Sequence, residues 1–487
     1  MIKNVKVLED EVVEQIISEA IALLSDPGIR IQNQEGLQLL AEAGAEVDFE
    51  TEVAKIPGEF VRRSLETTPK TFALYPISGE EPSVIYGGDE IHFDPGSAGI
   101  MLLDDLEGNQ RYPVTADYIK WVKLVEGLPQ LDAQSTSMVS SDVTEEIGDL
   151  YRLYLSLNYM NKPIVTGAFG KDTWWTMKDL LVAVRGSEQA LREKPLAIFD
   201  VCPSPPLTWS DLTCQNLIDC ARAGIPSEMV SMPLAGATAP VTIAASVVQH
   251  TAESLSGIVL SQLVNPGAPI VWGGSPAAFD MRMGTTPMGA AETWLIDAGY
   301  VQVGKTLEIP THVYMGMSDA KIVDVQCGLE SMGGAMAAAM IGANMISGAG
   351  MMDFENCLSF EKLILDAEII ALARRFRDGI ELRDDPIGEH LIRDMGHHAD
   401  YLSSRHTRKW YRKELSFPSE LIDRGSWDAW KEGGNTTATQ RAHRSMQSLL
   451  DRYQPNALSK EQRNDLREIA SKAAVQFGMD SLPALED

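Results

Sequence analysis

The sequence predicts an α/β protein whose core is a TIM (β/α)8 barrel with added segments at both ends. Short apolar runs that start after a Pro or a polar turn alternate with stretches long enough for a helix, which is typical of parallel βαβ units. Seven such units follow one another, close to the eight of a barrel. A doubly wound sheet is the alternative, but no Gly-rich nucleotide fingerprint and no P-loop follows a predicted strand.

The first 110 residues are predicted to form a helical and β-rich cap. Apolar residues at helical spacing from Val12 to Leu23 predict a helix that ends at Asp26-Pro27-Gly28, and a second helix is expected at 33–43. Short β-prone pieces follow at 71–75, 83–86 and 91–93. The eighth barrel strand is expected either in this β-rich segment or after Phe376.

Residues 111–380 are predicted to form the barrel core. The predicted strands are 131–138, 163–168, 195–201, 228–234, 269–273, 311–316 and 343–348, and the predicted helices include 173–184, 209–221, 244–263 and 285–307. The uncharged stretch 331–352 is long enough to cross a bilayer. Its glycines and Asn344 favour instead a small-residue helix followed by a buried strand.

Residues 381–487 are predicted to form a helical extension packed on the barrel. Basic and aromatic residues cluster between Arg405 and Lys413, in contrast to the acidic remainder of the chain. Such a cluster is either a solvated helical face or a surface that binds an acidic partner.

Charge and cysteine content narrow the class of protein. The 487 residues include 41 basic and 69 acidic ones, a net charge of −28, which disfavours nucleic acid as a partner. The acidic surface would concentrate small cations, although solubility alone is an alternative explanation. The five cysteines lack the spacing of a disulfide framework or a zinc ribbon, which favours a reducing compartment. The N-terminus lacks a signal-peptide pattern, so we predict a cytoplasmic, non-membrane protein.

In a barrel, functional residues lie at the C-terminal ends of the strands and in the loops that follow. These positions combine aromatic rings with carboxylates, the combination that binds quaternary ammonium groups. Packing and helix capping are the alternative roles. The candidate substrate-binding residues are Phe93, Asp94, Trp272, Phe279, Tyr314, Asp319, Asp353, Phe354 and Glu355.

No catalytic residue and no metal ligand can be assigned from motifs. HExxH, GxSxG and close His/Cys clusters do not occur in the sequence. Arg282 is a candidate for a substrate carboxylate, with Asp280 or Glu292 as an equally good structural partner.

Three long blocks resemble the trimethylamine methyltransferase family. They are GGSPAAFDMRMGTTPMGAAE at 273–292, MSDAKIVDVQCGLE at 317–330 and GAGMMDFENCLSFEKLILDAEI at 348–369. Members that use trimethylamine carry pyrrolysine, whereas this chain has only the twenty common residues. It is therefore similar to the non-pyrrolysine branch, which demethylates quaternary amines such as glycine betaine, proline betaine and carnitine. The resemblance implies a TIM barrel, no tightly bound cofactor, and a Co(I) corrinoid (cobalamin type) supplied by a separate partner protein.

The resemblance predicts transfer of a methyl group from glycine betaine or a related betaine to the corrinoid. A quaternary nitrogen leaves as a neutral amine, so no general acid is required, and the protein binds, aligns and excludes water. We expect aromatic rings at the methyl groups and carboxylates that orient the cation, because tight charge pairing would stabilise the substrate more than the transition state. Two alternatives stay open: a zinc-dependent methyltransferase similar to uroporphyrinogen decarboxylase, and a betaine-binding protein without activity. A homo-oligomer is compatible with the sequence.

Overall fold

The computed structural model describes residues 2–79, 81–104, 108–398 and 400–485. The N-terminal elements are helices α1 Asp10–Ser25, α2 Gln34–Ala43 and α3 Gly58–Thr67, and strands β1 Ile29–Ile31, β2 Glu46–Asp48, β3 Val53–Lys55, β4 Thr71–Leu74, β5 Val84–Gly87, β6 His92–Pro95, β7 Met101–Leu103 and β8 Gln110–Arg111. The two predicted helices are confirmed as α1 and α2. The Asn33 side chain caps α2 by accepting a hydrogen bond from the Gly36 N–H at 2.8 Å.

The middle of the chain alternates helices and strands, as predicted. Its elements are α4 Thr115–Gly127, β9 Gln134–Ser135, α5 Gly148–Tyr159, β10 Ile164–Thr166, α6 Lys171–Arg185, α7 Glu188–Glu193, β11 Ala197–Val201, β12 Thr208–Trp209, α8 Asp211–Ala223, β13 Ser227–Ser231, β14 Leu234–Ala235, α9 Ile243–Val264, β15 Ile270–Gly274, β16 Ala277–Ala278, α10 Ala291–Thr306, β17 His312–Tyr314, α11 Val325–Ile341, β18 Met345–Ala349, β19 Met351–Met352, β20 Cys357–Leu358 and α12 Phe360–Asp378. Each of the seven predicted core strands overlaps an observed strand.

Two parallel sheets form the core of this mixed α/β fold. One has the order β9-β10-β11-β13-β15 and the other the order β17-β18-β6. A parallel bridge between Trp272 and Thr311 joins β15 to the start of β17. At the other end, the Asp132 N–H donates to the Phe93 carbonyl oxygen at 2.8 Å. The eighth parallel strand is therefore β6, which lies in the β-rich segment.

The antiparallel hairpin β4–β5 covers the beginning of the core strands. Its Leu74, Val84 and Tyr86 are fully buried. They pack in one apolar cluster with residues that lie near the beginnings of five core strands, namely Ala133, Val165, Ile198, Val271 and Met345. This end of the strands is closed, which leaves their C-terminal ends for a functional site.

Two predicted helices have different bounds in the structure. The expected helix 285–307 begins at Ala291, because the Asp319 carboxylate accepts hydrogen bonds from the Met288 and Gly289 N–H groups and holds the preceding residues in a loop. In the uncharged stretch, α11 ends before Gly342 and β18 follows. Among the helices described, none has the length and apolar character needed to cross a membrane.

The C-terminal helices are α13 Glu389–Met395, α14 Arg405–Glu414, α15 Trp427–Glu432, α16 Ala438–Asp451 and α17 Lys460–Gln476. Helix α16 packs on α12 and α4, and α17 packs on α6 and α5. Helices α13 and α14 bury no residue of their own.

Candidate functional site

A layer of ionisable side chains crosses the core strands near their middle. It consists of Asp94 on β6, Asp200 on β11, Glu228 on β13, His312 on β17 and Ser347 on β18, and we call it the inner layer. All except Asp200 are almost completely buried, and Asp200 keeps some exposure. Charged residues are costly inside strands that are covered on both faces, so their presence at one level indicates a function.

Short contacts connect the members of the inner layer. The Ser347 hydroxyl donates to Asp94 Oδ1 at 2.7 Å, and His312 Nε2 lies 3.0 Å from the same hydroxyl oxygen. On its other side, His312 Nδ1 lies 2.5 Å from Glu228 Oε1. Strand β15 runs between these two residues, and a Cβ atom at Gly273 would lie 2.9 Å from both atoms. Only glycine at this position lets β13 and β17 bring their side chains together.

Burial keeps the inner layer largely uncharged at neutral pH. It raises the pKa of Glu228 to about 8, and it raises the pKa values of Asp94 and Asp200 well above the usual range. The neighbouring Glu228 carboxylate raises the pKa of Asp200 further. Burial also lowers the pKa of His312 to about 3, so the imidazole is neutral. Carboxylic acids, rather than carboxylates, therefore face the neutral imidazole.

A second group of side chains lies beyond the inner layer, at the C-terminal ends of the strands. Tyr314 follows His312 on the same face of β17, and their ring centroids are 4.6 Å apart in an edge-to-face arrangement. The Tyr314 hydroxyl is 3.0 Å from Ser97 Oγ. Across from it, the Ser275 hydroxyl donates to Glu355 Oε1 at 3.2 Å. We call Ser97, Ser275, Tyr314, Glu355 and Cys202, which follows β11, the strand-end site.

The strand-end site is accessible to solvent, and it contains a carboxyl group, that of Glu355, with a pKa near neutral pH. Cys202 and Glu355 are partly exposed to solvent. Burial raises the pKa of Glu355 to about 7, so its charge changes in the physiological range. Burial raises the pKa of the Cys202 thiol, and the carboxylates of Asp200, Glu228 and Glu355 raise it further. The thiol therefore remains protonated and is not a nucleophile here.

Glu355 is placed by an unusual turn. Asp353, Phe354 and Glu355 all have positive φ angles, of 52°, 56° and 67°. Such backbone costs about 1–3 kcal/mol per residue for side chains other than glycine. The antiparallel pairing of β19 with β20 spans the turn, and the Asn356 side chain donates to the Asp353 carbonyl at 2.9 Å. Strain retained at this position supports a functional role for the turn.

Three of the nine candidate residues lie in these two groups: Asp94, Tyr314 and Glu355. Phe354 belongs to the same turn as Glu355, but the Lys321 ammonium lies 3.8 Å from its ring centroid and 3.3 Å from Asp353 Oδ1. Phe354 therefore contacts a cation of the protein itself, the Lys321 ammonium. Lys321 also holds the Asp353 carboxylate.

Phe279 and Asp319 line a surface cleft of about 470 Å³ together with Arg282 and Glu330, and the Asp319 carboxylate lies near enough to Glu355 to raise its pKa. Both carboxylate oxygens of Asp319 are occupied by backbone N–H groups at 2.9 Å. Arg282 is exposed and paired with Asp280 at 2.7 Å, which is the structural role considered for it.

Phe93 and Trp272 lie on the outer faces of their strands. The Phe93 ring centroid is 5.3 Å from the Arg374 guanidinium, whereas the neighbouring Asp94 points to Ser347. The Trp272 indole N–H donates to the Tyr300 carbonyl on α10 at 2.9 Å. Both rings pack strands against helices.

Comparison with known proteins identifies the family of this chain. The family model described as trimethylamine methyltransferase (MTTB) matches residues 1–478. The chain belongs to the trimethylamine methyltransferase family. It is accordingly a methyltransferase, as the three sequence blocks predicted, and the betaine-binding protein without activity is no longer a candidate.

Two relatives that are named for different substrates are about equally similar to this chain. It is 30% identical over 472 residues to a trimethylamine methyltransferase of Desulfitobacterium hafniense (strain DSM 10664 / DCB-2), covering 96% of this chain and 94% of the relative. It is 29% identical over 463 residues to a glycine betaine methyltransferase of Desulfitobacterium hafniense (strain Y51), covering 95% of each. Overall identity therefore does not select a substrate.

A solved structure supports the fold. The crystal structure of the Methanosarcina barkeri monomethylamine methyltransferase has a TM-score of 0.53 and 11% sequence identity, and the match covers 92% of this chain and 89% of that one. The likeness at this identity concerns the fold alone.

Sequence reasoning missed Asp200, Glu228, His312 and Ser347. All four lie inside strands that were predicted correctly, and an ionisable residue within an apolar parallel strand was the available signal. Within the described ranges, His, Cys, Asp and Glu side chains form no group of three or more that could hold a metal ion.

Proposed function

We propose that this methyltransferase takes a methyl group from a quaternary amine and transfers it to the Co(I) corrinoid of a separate protein. The observation that carries the proposal is the strand-end site, where the Tyr314 ring and the Glu355 carboxyl lie above a layer of uncharged acids. An aromatic ring and a carboxyl group with a pKa of about 7 suit a permanent cation. The acceptor corrinoid supplies the electron pair that attacks the methyl carbon.

The chain's own residues bind and orient the amine in this proposal. When the N–C bond breaks, its electron pair stays on nitrogen and the product is a neutral tertiary amine, so no side chain has to donate a proton. The protonated inner layer beneath adds little competing negative charge. Glu355 orients the cation, and Tyr314, whose hydroxyl burial keeps protonated, contacts it with its ring.

We extend the proposal to the substrate and to the cell compartment. A sequence made only of the twenty common residues favours glycine betaine or a related betaine, and a relative named for glycine betaine shows that the family includes this activity. The cytoplasm, where a reduced corrinoid protein is accessible, is the proposed location, and no nucleic acid takes part. Asp353 and Phe354 support the site through the turn that carries Glu355.

We also propose that the eight parallel strands close into a (β/α)8 barrel. The Trp272–Thr311 bridge and the hydrogen bond from Asp132 to Phe93 support this closure at both junctions between the two sheets. The cap would comprise residues 1–110 except β6, the barrel would comprise 111–380 together with β6, and the extension would comprise 381–487. A barrel places the strand-end site at its C-terminal mouth, where barrel enzymes act.

The experiment is a substrate screen with defined acceptors. The purified protein is mixed with a corrinoid protein reduced to Co(I) and with glycine betaine, proline betaine, carnitine, γ-butyrobetaine, tetramethylammonium or trimethylamine. We expect the absorbance of the corrinoid to change, and the tertiary amine product to appear by mass spectrometry, with at least one quaternary amine. Turnover of trimethylamine alone would contradict the proposal. Stoichiometric zinc together with methyl transfer to a thiol would support the zinc-dependent alternative.

A further inference from the structure

Arg152 on α5 carries a buried guanidinium without an ionic partner. The residue is 2% exposed, and every residue of α5 is buried. Its Nη1 donates to the Thr136 carbonyl at 2.6 Å, its Nε has no acceptor, and no carboxylate of the described residues lies within salt-bridge distance. A buried cation is costly when one of its N–H donors, here Nε, has lost water and gained no acceptor.

The carboxylates near Arg152 are engaged elsewhere. Asp149 accepts hydrogen bonds from the Phe169 N–H at 2.6 Å and from the Thr173 hydroxyl at 2.5 Å. Asp200 belongs to the inner layer and shares its environment with Glu228. The free donors of Arg152 are thus available to an anion from outside the chain.

Arg152 lies beside the strand-end site. It bonds to the carbonyl that follows β9, and its guanidinium carbon is 4.5 Å from the ring centroid of Phe169, which follows β10 and is 48% exposed. Ionisation of Asp200 or Tyr314 would raise the pKa of Arg152, because both side chains lie near its guanidinium. Glu355 and Tyr314 attract a cation, whereas Arg152 offers donors to an anion in the same region.

We propose that Arg152 binds the carboxylate of the substrate and thereby selects betaines over quaternary amines that lack an acid group. This inference rests on the proposed function and assigns a specificity residue to its site. A guanidinium can hold a carboxylate through two parallel hydrogen bonds, which gives orientation as well as affinity. The ammonium end would then lie toward Tyr314 and Glu355.

Binding measurements separate this inference from the proposed function. Calorimetry compares glycine betaine with tetramethylammonium on the wild-type chain and on Arg152→Gln and Arg152→Lys, with melting temperatures as the folding control. Charge-assisted hydrogen bonds are worth about 1.5–3 kcal/mol, so Arg152→Gln should weaken betaine binding about 10- to 150-fold. Tetramethylammonium binding should change less than twofold. Arg152→Lys should recover part of the betaine affinity.

The outcomes are distinguishable. If the wild-type chain binds neither ligand and the substrate screen finds no quaternary amine that is demethylated, the proposed function fails. If it binds both equally, or if Arg152→Gln weakens both by the same factor, the role of Arg152 is refuted while the proposed function stands. Should Arg152→Gln not fold, Arg152→Lys decides alone, because it keeps the charge and loses the bidentate geometry: an unchanged ratio of the two affinities would refute the inference.

A separate observation concerns residues 379–420, which we call the arm. No described residue of the arm is buried, although it contains α13 and α14. Large apolar side chains are nevertheless exposed along it, including Ile380 at 95%, Leu402 at 88% and Phe417 at 59%. Helices without a buried face gain little stability from packing, so such a surface requires a cover.

We infer that a second copy of this chain covers the arm. Its helix α14 carries five Arg or Lys residues and one Glu on a chain with a net charge of −28, so its charge is complementary to the chain's own surface. An exposed patch of the required kind occurs at 48–52, where Phe49 is 46% exposed among acidic residues. A permanent partner fits better than a transient one, because uncovered apolar side chains would promote aggregation in every free molecule.

Sedimentation and cross-linking test this second inference. The wild-type chain should sediment as a dimer or larger oligomer at micromolar concentration, and Ile380→Asp/Leu402→Asp should shift it to monomer. The matched control Val475→Asp, at an exposed apolar residue outside the arm, should not. Carbodiimide cross-links between isotope-labelled and unlabelled copies should join Lys409 or Lys413 to carboxylates. A monomeric wild-type chain, or an oligomer that the arm variant leaves intact, would refute the inference.

Discussion

Glu355 should make substrate binding depend on pH near neutrality. Its pKa is about 7 in the free protein because the carboxyl group is buried. A cation about 5 Å away, at an effective dielectric constant of about 20, would stabilise the carboxylate by about 3 kcal/mol, equal to roughly two pKa units. The substrate should therefore lower the pKa of Glu355 to about 5. Below pH 7 binding must then expel a proton.

Calorimetry between pH 5.5 and 8.5 checks this linkage. The dissociation constant of a quaternary amine should be constant above about pH 7 and should rise about tenfold for each pH unit below it. In two buffers with different ionisation enthalpies, proton release should approach one per site at pH 6 and vanish at pH 8.5. Glu355→Gln should abolish both the slope and the proton release and should weaken binding about 100-fold at pH 8.

Kinetics adds a second check on Glu355. Because the charge on nitrogen falls as the methyl group leaves, the carboxylate stabilises the bound substrate more than the transition state. Glu355→Gln should therefore raise KM and leave kcat unchanged or slightly higher. A wild-type dissociation constant that is flat across the pH range, or an identical slope in the variant, would refute this reasoning.

Three further predictions concern neighbouring groups. Tyr314→Ala should raise KM at least tenfold, whereas Phe354→Ala should change it less than threefold because Lys321 already covers that ring; steady-state kinetics would show this. Folded Glu228 keeps its proton to about pH 8, whereas unfolded Glu228 loses its proton near pH 4.5. The free energy of unfolding of the wild-type chain should therefore fall by up to about 5 kcal/mol as the pH rises between these values. Urea titrations of Glu228→Gln should show a weaker dependence on pH. Asp366→Ala should lower the free energy of unfolding by about 3–5 kcal/mol in the same titrations, because it leaves the buried Lys362 ammonium, which lies 2.5 Å from Asp366, unpaired. Replacing both Lys362 and Asp366 by apolar residues should lower it less.

The sequence predicted the core strands well because parallel strands covered on both faces are continuous apolar runs. It left the eighth strand open between the β-rich segment and the region after Phe376. Strand β6 is His-Phe-Asp-Pro, in which only Phe93 belongs to an apolar run, and its strand character arises from pairing with β18. Such a strand is stabilised by its neighbours and not by its own composition.

The candidate site residues also separate into those that the sequence could predict and those that depend on how the strands pair. The rule that strand ends carry function selected Tyr314 and Glu355, and the β-rich entry segment supplied Asp94. It could not separate them from Phe93 and Trp272, because the face that a side chain occupies depends on the register of the strand. Phe354 has the right chemistry and position, but its ring is occupied by Lys321 from another loop.

Composition, charge and the order of strands and helices are local properties, and the amino-acid sequence alone specified them, together with the family to which the chain belongs. The inner layer is different, because its members are separated by up to 253 residues and meet only when β6, β11, β13, β17 and β18 are assembled in one core. Gly273 shows the physical reason. Its missing side chain is the space in which Glu228 and His312 meet, and that space exists only when three strands have been assembled.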